Sequence, residues 1–486
     1  MSDNLAVASI SELAPLVAAG EVSPVELVRT ALERIESLDS LLRSYITVFE
    51  EGALAEARAA EDSIAGGAYL GPLHGIPVAV KDNIAVAGFP TTNGSVFWSD
   101  RTTDFDAEVV TRLRRAGAII LGKNNMHEWG MGGTCKGMYF GTVRNPWDPS
   151  RIPGGSSGGS AAAVSAGMTW AAVGTDGWGS IRTPASYCGV VGLMPTHGLI
   201  SRLGELPPTS SWHHTVGPIA RTTHDAAIVL DALAGHDPKD PMSIRSGFDG
   251  SYRDGLEAGV RGLRVGVPTS FFFDDTVPEV KDAVREALRT FENLGATLVD
   301  VDVSAFYDTP LALAAAQHES QSVLLPYALA GQEGFATPEI RYRILAGEFV
   351  SAADHRRGMQ VRNSMVVEIT RVFEVVDVVV TPCNSTVAFP IDSDRVRIGE
   401  TDYVDLEQPG GQSRLTTRLT LPWNLVGVPA ISIPSGSHVD GLPVGLQLAT
   451  APLHEPLLLR AAAAYEAANG GYRPPPLPGT WDDHEA

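Results

Sequence analysis

The feature that most constrains the fold of this chain is a series of short apolar runs that each end in polar residues. Continuous apolar runs of this length are typical of strands that lie inside a sheet covered on both faces. The segments between them have helical patterns, as in residues 108–116 and 160–168. The alternation predicts an α/β/α sandwich with a large mixed, mostly parallel central sheet. The runs are GIPVAVKDN (75–83), AIILGKNN (118–125), TWAAVGTD (169–176) and DVVVTP (377–382).

The chain gives little sign of a division into separate domains. With 486 residues it is long enough for two or three of them. The best linker candidates, residues 235–251 and 472–479, do not convincingly separate two units. We therefore predict a single domain over residues 1–486, with a helical cap over residues 305–375 inside it. Two helices are expected within residues 9–37, capped by Ser11 and Ser23.

Charge and cysteine content argue against several classes of partner. A formal net charge of -21 is unfavourable for binding nucleic acid or anionic membranes, which requires clustered Lys and Arg. No run approaches the roughly 20 apolar residues of a membrane span. The three cysteines are widely spaced, which fits a reducing compartment, and the N-terminus lacks a signal-peptide pattern. The prediction is a cytoplasmic protein, and because no C-x-x-C or H-E-x-x-H is present, no metal or cofactor is expected.

Two glycine- and serine-rich segments suggest a functional site, PGGSSGGSAAA (153–163) and GTDGWGSIRTPA (174–185). Such loops can cradle phosphate at a helix N-terminus, but neither carries the P-loop or the dinucleotide-binding pattern. The other interpretation is acyl transfer by a serine, for which a lysine can replace histidine as the base. Lys81 follows the apolar run 76–80, where desolvation would lower its pKa. A solvated lysine in a turn is the alternative interpretation.

These segments, taken with others along nearly the whole chain, resemble the amidase signature family. A Gly-Ser run followed by Asp-x-x-Gly-Ser-Ile-Arg-x-Pro is a highly specific combination. The resemblance implies the amidase signature fold and a cofactor-free amide hydrolase with a Lys–Ser–Ser trio. The matching segments include GIPVAVKDNI (75–84), GGSSGGSAAA (154–163), VGTDGWGSIRTPASYCGVVG (173–192) and LPWNLVGVPAISIP (421–434).

By this resemblance Ser180 is the nucleophile that forms an acyl-enzyme, Ser156 is the bridging serine and Lys81 is the base. The resemblance also implies a cis peptide bond between Gly155 and Ser156. Further residues match the oxyanion hole and its supports. The oxyanion donors are the backbone N–H groups of Gly177, Trp178 and Gly179 together with Ser180, and the supporting residues are Ser157, Asp176 and Arg182.

The chain departs from the family at Trp178, where glycine is usual. A backbone with φ > 0 would tolerate tryptophan poorly, so the conformation of the loop is in question. Either the indole projects into the substrate pocket and selects flat or aromatic substrates, or it packs outward against core helices. The sequence leaves both interpretations open. The resemblance also predicts substrate-binding residues upstream, namely Trp129, Gly130, Met131 and Cys135.

The expected activity is the hydrolysis of carboxylic amides, preferably aryl or apolar ones, with carbamates and esters as side activities. The expected partners are a small-molecule amide and water, without nucleic acid or membrane, and a homodimer stays open. The first alternative is the glutaminase component of a glutamyl-tRNA amidotransferase, its A subunit. Such subunits commonly have Ser-Leu-Asp-Gln before a Gly-Pro, whereas this chain reads SWHHTVGP (211–218), which argues against that alternative. The second alternative is a catalytically silent relative that only binds a ligand.

Overall fold

The computed structural model describes residues 2–137, 139–207, 212–331, 334–408 and 410–477. The four apolar runs form strands, as predicted. Within the described residues the strands are β1 (Tyr45–Val48), β2 (Pro77–Lys81), β3 (Ile119–Asn124), β4 (Ala171–Asp176), β5 (Val191–Met194), β6 (Thr215–Ala220), β7 (Arg264–Pro268), β8 (Thr297–Val301), β9 (Val378–Pro382), β10 (Arg395–Ile398), β11 (Asp402–Asp405), β12 (Ala430–Val439) and β13 (Leu442–Ala449).

Eleven of these described strands form one sheet in the order β1-β3-β2-β4-β6-β5-β12-β13-β9-β7-β8. Parallel pairs join β2 to β3 and β4, and β7 to β8 and β9, while the strands between these two blocks pair antiparallel. Every residue of β2, β3 and β4 is buried. Since side chains alternate between the two faces of a strand, both faces of the sheet are covered there. The predicted sandwich with a large mixed sheet is confirmed.

The described residues also form helices, many of which pack against this sheet. None of them is long and apolar enough to span a membrane. Ser23 caps its helix as predicted, but the first predicted cap is wrong, because Ser9 and not Ser11 accepts the Glu12 N–H. The helices are α1 (Ser2–Val7), α2 (Ile10–Ala18), α3 (Pro24–Leu42), α4 (Glu50–Ala65), α5 (Glu108–Arg115), α6 (Gly158–Ser165), α7 (Arg182–Cys188), α8 (Thr223–Leu233), α9 (Pro278–Asn293), α10 (Thr309–Ser322), α11 (Leu325–Leu329), α12 (Pro338–Ala346), α13 (Ala352–Val375), α14 (Gly411–Thr416), α15 (Leu421–Val426) and α16 (Glu455–Asn469).

The sheet brings the chemical segments of the sequence to one edge. β2 and β4 are parallel neighbours with Val80 opposite Val173, so their carboxyl ends, at Lys81 and Asp176, lie side by side. The carboxyl edge of parallel strands is where α/β proteins usually bind ligands. The small residues of α6 allow this helix to lie close to the loops, because a Cβ on Gly159 would overlap the Asn125 carbonyl oxygen.

Residues 305–375 are helical over most of their length, with α10 packed against α13. This region contacts the loop after β3, because the Trp129 indole N–H donates to the Phe335 carbonyl at 2.9 Å. The Thr337 N–H also donates to the Glu128 carboxylate at 2.8 Å. The helical region therefore lies beside the predicted substrate-binding segment, and the division of the chain into a single domain with a cap stays a prediction.

Candidate active site

Lys81 is the last residue of β2 and is fully buried. Its Nζ lies 2.7 Å from Ser156 Oγ, 2.8 Å from Thr175 Oγ1 and 3.5 Å from the Thr175 carbonyl oxygen. Burial lowers the pKa of Lys81 to about 8, and the carboxylate of Glu205 opposes this shift. A neutral amine in this position can donate its two hydrogens to Thr175 and accept the proton of Ser156. The geometry is therefore suited to a proton acceptor.

Ser156 is held by the loop between β3 and α6. The Gly155–Ser156 peptide bond is cis, as the resemblance implies. A Cβ on Gly155 would lie 2.8 Å from the Gly132 carbonyl oxygen, so position 155 has no room for a side chain. The His127 N–H donates to the Ser156 carbonyl at 3.0 Å, and Ser156 is 1% exposed. These contacts hold Ser156 against Lys81, away from bulk solvent.

Ser180 lies in the second glycine-rich loop and lines a partly enclosed cavity. The N–H of Ser157 donates to the Ser180 carbonyl at 3.1 Å, which joins the two loops. Ser157 Oγ in turn lies 3.3 Å from the Thr175 carbonyl oxygen and 3.4 Å from the Thr175 nitrogen, so the first loop is also attached to β4. The fold thus brings the three predicted residues of the trio together, and Ser180 is the member that lines the cavity.

Asp176 organises the loop that carries Ser180. Its buried carboxylate accepts the N–H groups of Gly179 at 2.7 Å and Ile181 at 3.1 Å. The guanidinium of Arg182 binds both carboxylate oxygens, at 3.0 and 3.1 Å, and Asn424 Nδ2 donates at 2.9 Å. Burial alone would raise the pKa of Asp176, but Arg182 and these donors together lower it to about 2. Two of the three predicted supporting residues, Asp176 and Arg182, therefore form one buried ion pair that shapes the loop.

The backbone donors of the predicted oxyanion hole are not equivalent. Among the described residues, the N–H groups of Gly177, Trp178 and Ser180 have no hydrogen-bond acceptor. The N–H of Gly179 is already bound to Asp176 at 2.7 Å. The assignment of Gly179 as an oxyanion donor is therefore wrong in this conformation, because its hydrogen is used to close the turn. The roles of Gly177 and Trp178 as donors stay predictions.

The positive φ of this loop falls on Gly179, at 109°, and not on Trp178. The backbone therefore tolerates tryptophan at position 178. The indole lines the cavity, where its N–H lies 3.4 Å from His213 Nε2 and the Arg343 guanidinium lies 5.6 Å from the ring centroid. Trp178 also packs against the apolar cluster that includes Trp423. The indole thus borders the cavity and also packs against the core, and selection of flat or aromatic substrates stays a prediction.

The cavity is bordered by three of the four predicted substrate-binding residues, Trp129, Gly130 and Met131. Cys135 is fully buried, and its Sγ lies 3.6 Å from the Ser156 carbonyl oxygen. It is not among the described residues that line the cavity. The prediction for Cys135 therefore needs correction, since the thiol lies behind the serine loop. Burial also raises its pKa to about 12.

Two charged residues that line the cavity, Glu205 and Arg343, were not predicted from the sequence. Glu205 lies in the loop after β5, where its carboxylate is 3.0 Å from His214 Nδ1. Arg343 lies on α12 and donates a hydrogen bond to the Met131 carbonyl. Neither stands in a motif, and both reach the site only through the tertiary fold. No signal in the sequence distinguishes them from surface charges.

Comparisons with known proteins identify relatives along nearly the full chain. The A subunit of glutamyl-tRNA(Gln) amidotransferase from Gloeobacter violaceus is 38% identical over 96% of this chain and 98% of the relative. The solved structure of the corresponding A subunit from Thermotoga maritima matches with a TM-score of 0.78 and 32% identity, covering 97% of this chain and 98% of the other. This chain is also similar to a solved structure described as an unexpected vestigial protein complex that reveals the evolutionary origins of an s-triazine catabolic enzyme. The TM-score is 0.88 and the identity is 32%, over 96% of this chain and 100% of the other.

These similarities contradict two expectations from the sequence. The expected stand-alone hydrolase of aryl or apolar amides is wrong, because relatives that match along nearly their whole length are named as A subunits of glutamyl-tRNA(Gln) amidotransferase. The expected absence of a nucleic-acid partner is wrong for the same reason. The net charge of one chain carries no information about what other subunits of an assembly bind. The substitution of SWHHTVGP for the usual polar residues changes side chains beside the cavity but does not remove the relationship.

The family itself follows from the whole pattern of residues and not from one motif. The profile of the Amidase family matches residues 26–459, which include both glycine-rich loops and the C-terminal strands β12 and β13. The same span contains Lys81, Ser156 and Ser180, which the fold brings together at the edge of the sheet. The chain is an enzyme of the amidase family.

Proposed function

We propose that this chain is the glutaminase subunit of an amidotransferase of the glutamyl-tRNA(Gln) type. It would release ammonia from the side-chain amide of glutamine for use by the assembled enzyme. The full-length similarity to A subunits of this amidotransferase supports the assignment. In the site, the assignment is carried by the hydrogen bond of 2.7 Å between buried Lys81 and Ser156. Ser180 lines the cavity, which the guanidinium of Arg343 also lines.

The proposed chemistry begins with attack of Ser180 Oγ on the amide carbon. Ser156 accepts the proton of Ser180 and passes its own proton to the neutral amine of Lys81. The free N–H groups of Gly177, Trp178 and Ser180 stabilise the negative oxygen that develops, and one such donor is typically worth about 10²–10³ in rate. The proton then returns through Ser156 to the leaving nitrogen, because an amide nitrogen leaves only when protonated. Ammonia departs, and water hydrolyses the acyl-enzyme.

Arg343 supports an amino-acid substrate. Its guanidinium faces the cavity beside Trp178. The charge of Glu339 on the same helix acts to raise the pKa of Arg343 against burial, but no carboxylate of the described residues forms a salt bridge with the guanidinium. A partly buried cation without a salt bridge favours an anionic ligand, and a planar guanidinium suits a carboxylate. We assign the α-carboxylate of glutamine to this position. A simple neutral amide has no group to occupy it.

The first test is steady-state glutaminase activity, measured as ammonia release. Arg343→Met should raise KM for glutamine by about 10- to 100-fold, since a hydrogen bond to a charged group contributes about 1.5–3 kcal/mol. Its activity on butyramide, which lacks a carboxylate, should stay unchanged. Arg341→Met on the same helix is the matched control, because Arg341 does not line the cavity. Equal losses on glutamine and butyramide would exclude carboxylate recognition by Arg343.

The second test concerns the assembly. Other subunits should co-purify with the tagged chain, and glutamyl-tRNA should stimulate glutamine-dependent ammonia release in the purified complex. Ser180→Ala should leave the complex intact and abolish ammonia release, because it removes only the nucleophile. The proposal would be contradicted if no other subunit co-purified and the monomeric chain released no ammonia from glutamine. That outcome would favour a relative that only binds a ligand.

A cytoplasmic location belongs to the same proposal. Cys135, Cys188 and Cys383 are free thiols, all of them buried, as is usual in a reducing compartment. Fractionation of the producing cells, with the chain detected by antibody, would test this assignment.

A further inference from the structure

A chain of polar contacts leads from Lys81 back to Glu205. Thr175 Oγ1, which contacts Lys81 at 2.8 Å, also accepts a hydrogen from Asn83 Nδ2 at 3.2 Å. The same Asn83 amide donates to Glu205 Oε1 at 3.2 Å. Glu205 is 5% exposed, and its Oε1 also lies 3.0 Å from Nδ1 of His214. This buried carboxylate is thus connected to the proposed base through two neutral residues.

The proposed mechanism creates a charge where solvent cannot stabilise it. Once Lys81 accepts a proton, a fully buried ammonium exists until the proton returns to the leaving nitrogen. Burial of a cation without a counter-ion is strongly unfavourable. The groups around Lys81 therefore decide how strong a base it can be.

Most charged groups near Lys81 are already neutralised. The Asp176 carboxylate is paired with Arg182 at 3.0 Å, and Asp82 is paired with Lys123 at 3.2 Å. Burial keeps Cys135 and His127 neutral, because it raises the pKa of the thiol to about 12 and lowers the pKa of the imidazole to about 3. Of these groups, Cys135 and Asp176 raise the pKa of Lys81, but each does so less than Glu205.

Glu205 differs from Asp176 and Asp82 in its partner, because it faces the imidazole of His214, which is a cation only when protonated, and not a guanidinium or an ammonium. Burial opposes its ionisation, but His214, Arg202 and Lys81 together hold its pKa below the usual range, so it stays a carboxylate. Its field is also the largest influence that raises the pKa of Lys81 against the effect of burial. Arg202 reaches the same region through a hydrogen bond of 3.3 Å to the His214 carbonyl.

We propose that Glu205 is a positioning residue for the reaction, the remote counter-ion of protonated Lys81. Its carboxylate acts through Asn83 and Thr175, which orient the Lys81 amine toward Ser156. The inference rests on the proposed function only in taking Lys81 as the base. It does not depend on which amide is the natural substrate.

The test measures the rate at which a fluorophosphonate probe labels Ser180 in the full chain, from pH 5.5 to 10. In the wild type the rate should rise with pH as Lys81 loses its proton. Glu205→Gln keeps the shape and the Asn83 contact but removes the charge, so the rise should move to lower pH by about one unit. The plateau rate should fall about threefold, because a weaker base accepts the proton less readily.

The matched control is Glu257→Gln. Glu257 forms a Glu–His pair of the same chemistry with His224 at 2.7 Å, but at the surface, and it should give the wild-type profile. A profile of Glu205→Gln that is merely lowered, with its rise at the wild-type pH, would show a structural role and overturn the inference.

Failure of the first variant to fold still leaves a decisive measurement. Glu205→Asp retains the charge and must keep the rise within a few tenths of a pH unit of the wild type, and a displaced rise would overturn the inference. If the folded wild-type chain is not labelled at Ser180 at any pH, the proposed nucleophile is wrong and the inference falls with it. Labelling of the wild type without a shift in Glu205→Gln refutes the inference alone.

Discussion

The buried ion pair between Asp176 and Arg182 gives the sharpest test of how the nucleophile loop is held. The guanidinium of Arg182 has acceptors on every side: the two Asp176 oxygens, Thr420 O at 3.0 Å, Gln447 Oε1 at 2.8 Å and Asn424 Oδ1 at 2.6 Å. Asp176→Asn keeps the size of the side chain but leaves this fully buried cation without its anion. Breaking a buried pair in this way costs about 3–5 kcal/mol.

Urea unfolding followed by tryptophan fluorescence would measure this cost. If unfolding free energy changes with urea by about 3 kcal/mol/M or more for a chain of this size, the midpoint should fall by about 1 M. Asp148→Asn is the control, because Asp148 forms the same type of contact with Arg151 at 3.0 Å but at 38% exposure, where an ion pair contributes about 0–1 kcal/mol. A loss below about 1 kcal/mol for Asp176→Asn would refute the argument.

The same ion pair predicts a dependence of stability on acid. The pKa of Asp176 is lowered from an ordinary 3.8 to about 2. Its contribution to stability is therefore fully present above about pH 4 and is lost as the pH falls toward 2. Asp176→Asn should lack this part of the acid sensitivity, as unfolding midpoints at pH 3 and pH 6 would reveal.

Other buried groups around the site give three further predictions. The pKa of Lys81 is about 8, so at lower pH the fraction of neutral amine falls tenfold per pH unit. Glutaminase kcat/KM at pH 6 should therefore be about one tenth of its value at pH 7. A flat profile would contradict Lys81 as the base. Lys123→Met leaves the Asp82 carboxylate buried and unpaired and should cost about 3–5 kcal/mol in urea unfolding, whereas a neutral effect would show that Asp82 is stabilised without it. Trp178→Gly removes the ring beside Arg343, so KM for glutamine should rise several-fold while the fluorophosphonate probe still labels Ser180. An unchanged KM would show that the indole takes no part in substrate recognition.

Much of the fold could be predicted from the sequence because its strands are buried on both faces. Runs such as AIILGKNN begin with consecutive apolar residues and lack the apolar–polar alternation of a strand with one face in solvent. They form β3 and its neighbours in the sheet. The positions of Lys81 and Asp176 at strand ends follow from the same pattern, whereas the parallel pairing of their two strands is seen only in the structure. Local chemistry was harder to predict: Ser11 was expected to cap α2, but the reciprocal bonds of Ser9 with Glu12 make Ser9 the cap.

The lining of the cavity could not be predicted in the same way. Arg343 comes from a helix more than 150 residues after Ser180, and its position depends on how α12 packs beside the loop at Trp129 and Met131. Glu205 depends on the loop after β5, which sequence patterns leave unspecified. The assignment of Gly179 failed for a related reason. A motif indicates which N–H groups are near the carbonyl, but only the position of the Asp176 carboxylate shows which hydrogen is already used.

The tryptophan at position 178 connects these observations. The loop needs one residue with positive φ, and it places this requirement on Gly179, where a Cβ would overlap Thr420 Oγ1. Position 178 is therefore the place in GTDGWGS where a large side chain does not strain the turn. Its carbonyl is fixed by the Thr420 hydroxyl at 2.8 Å, while its indole borders the cavity beside His213 and Arg343. Substitution at this position should change what the cavity accepts and leave the attack by Ser180 in place.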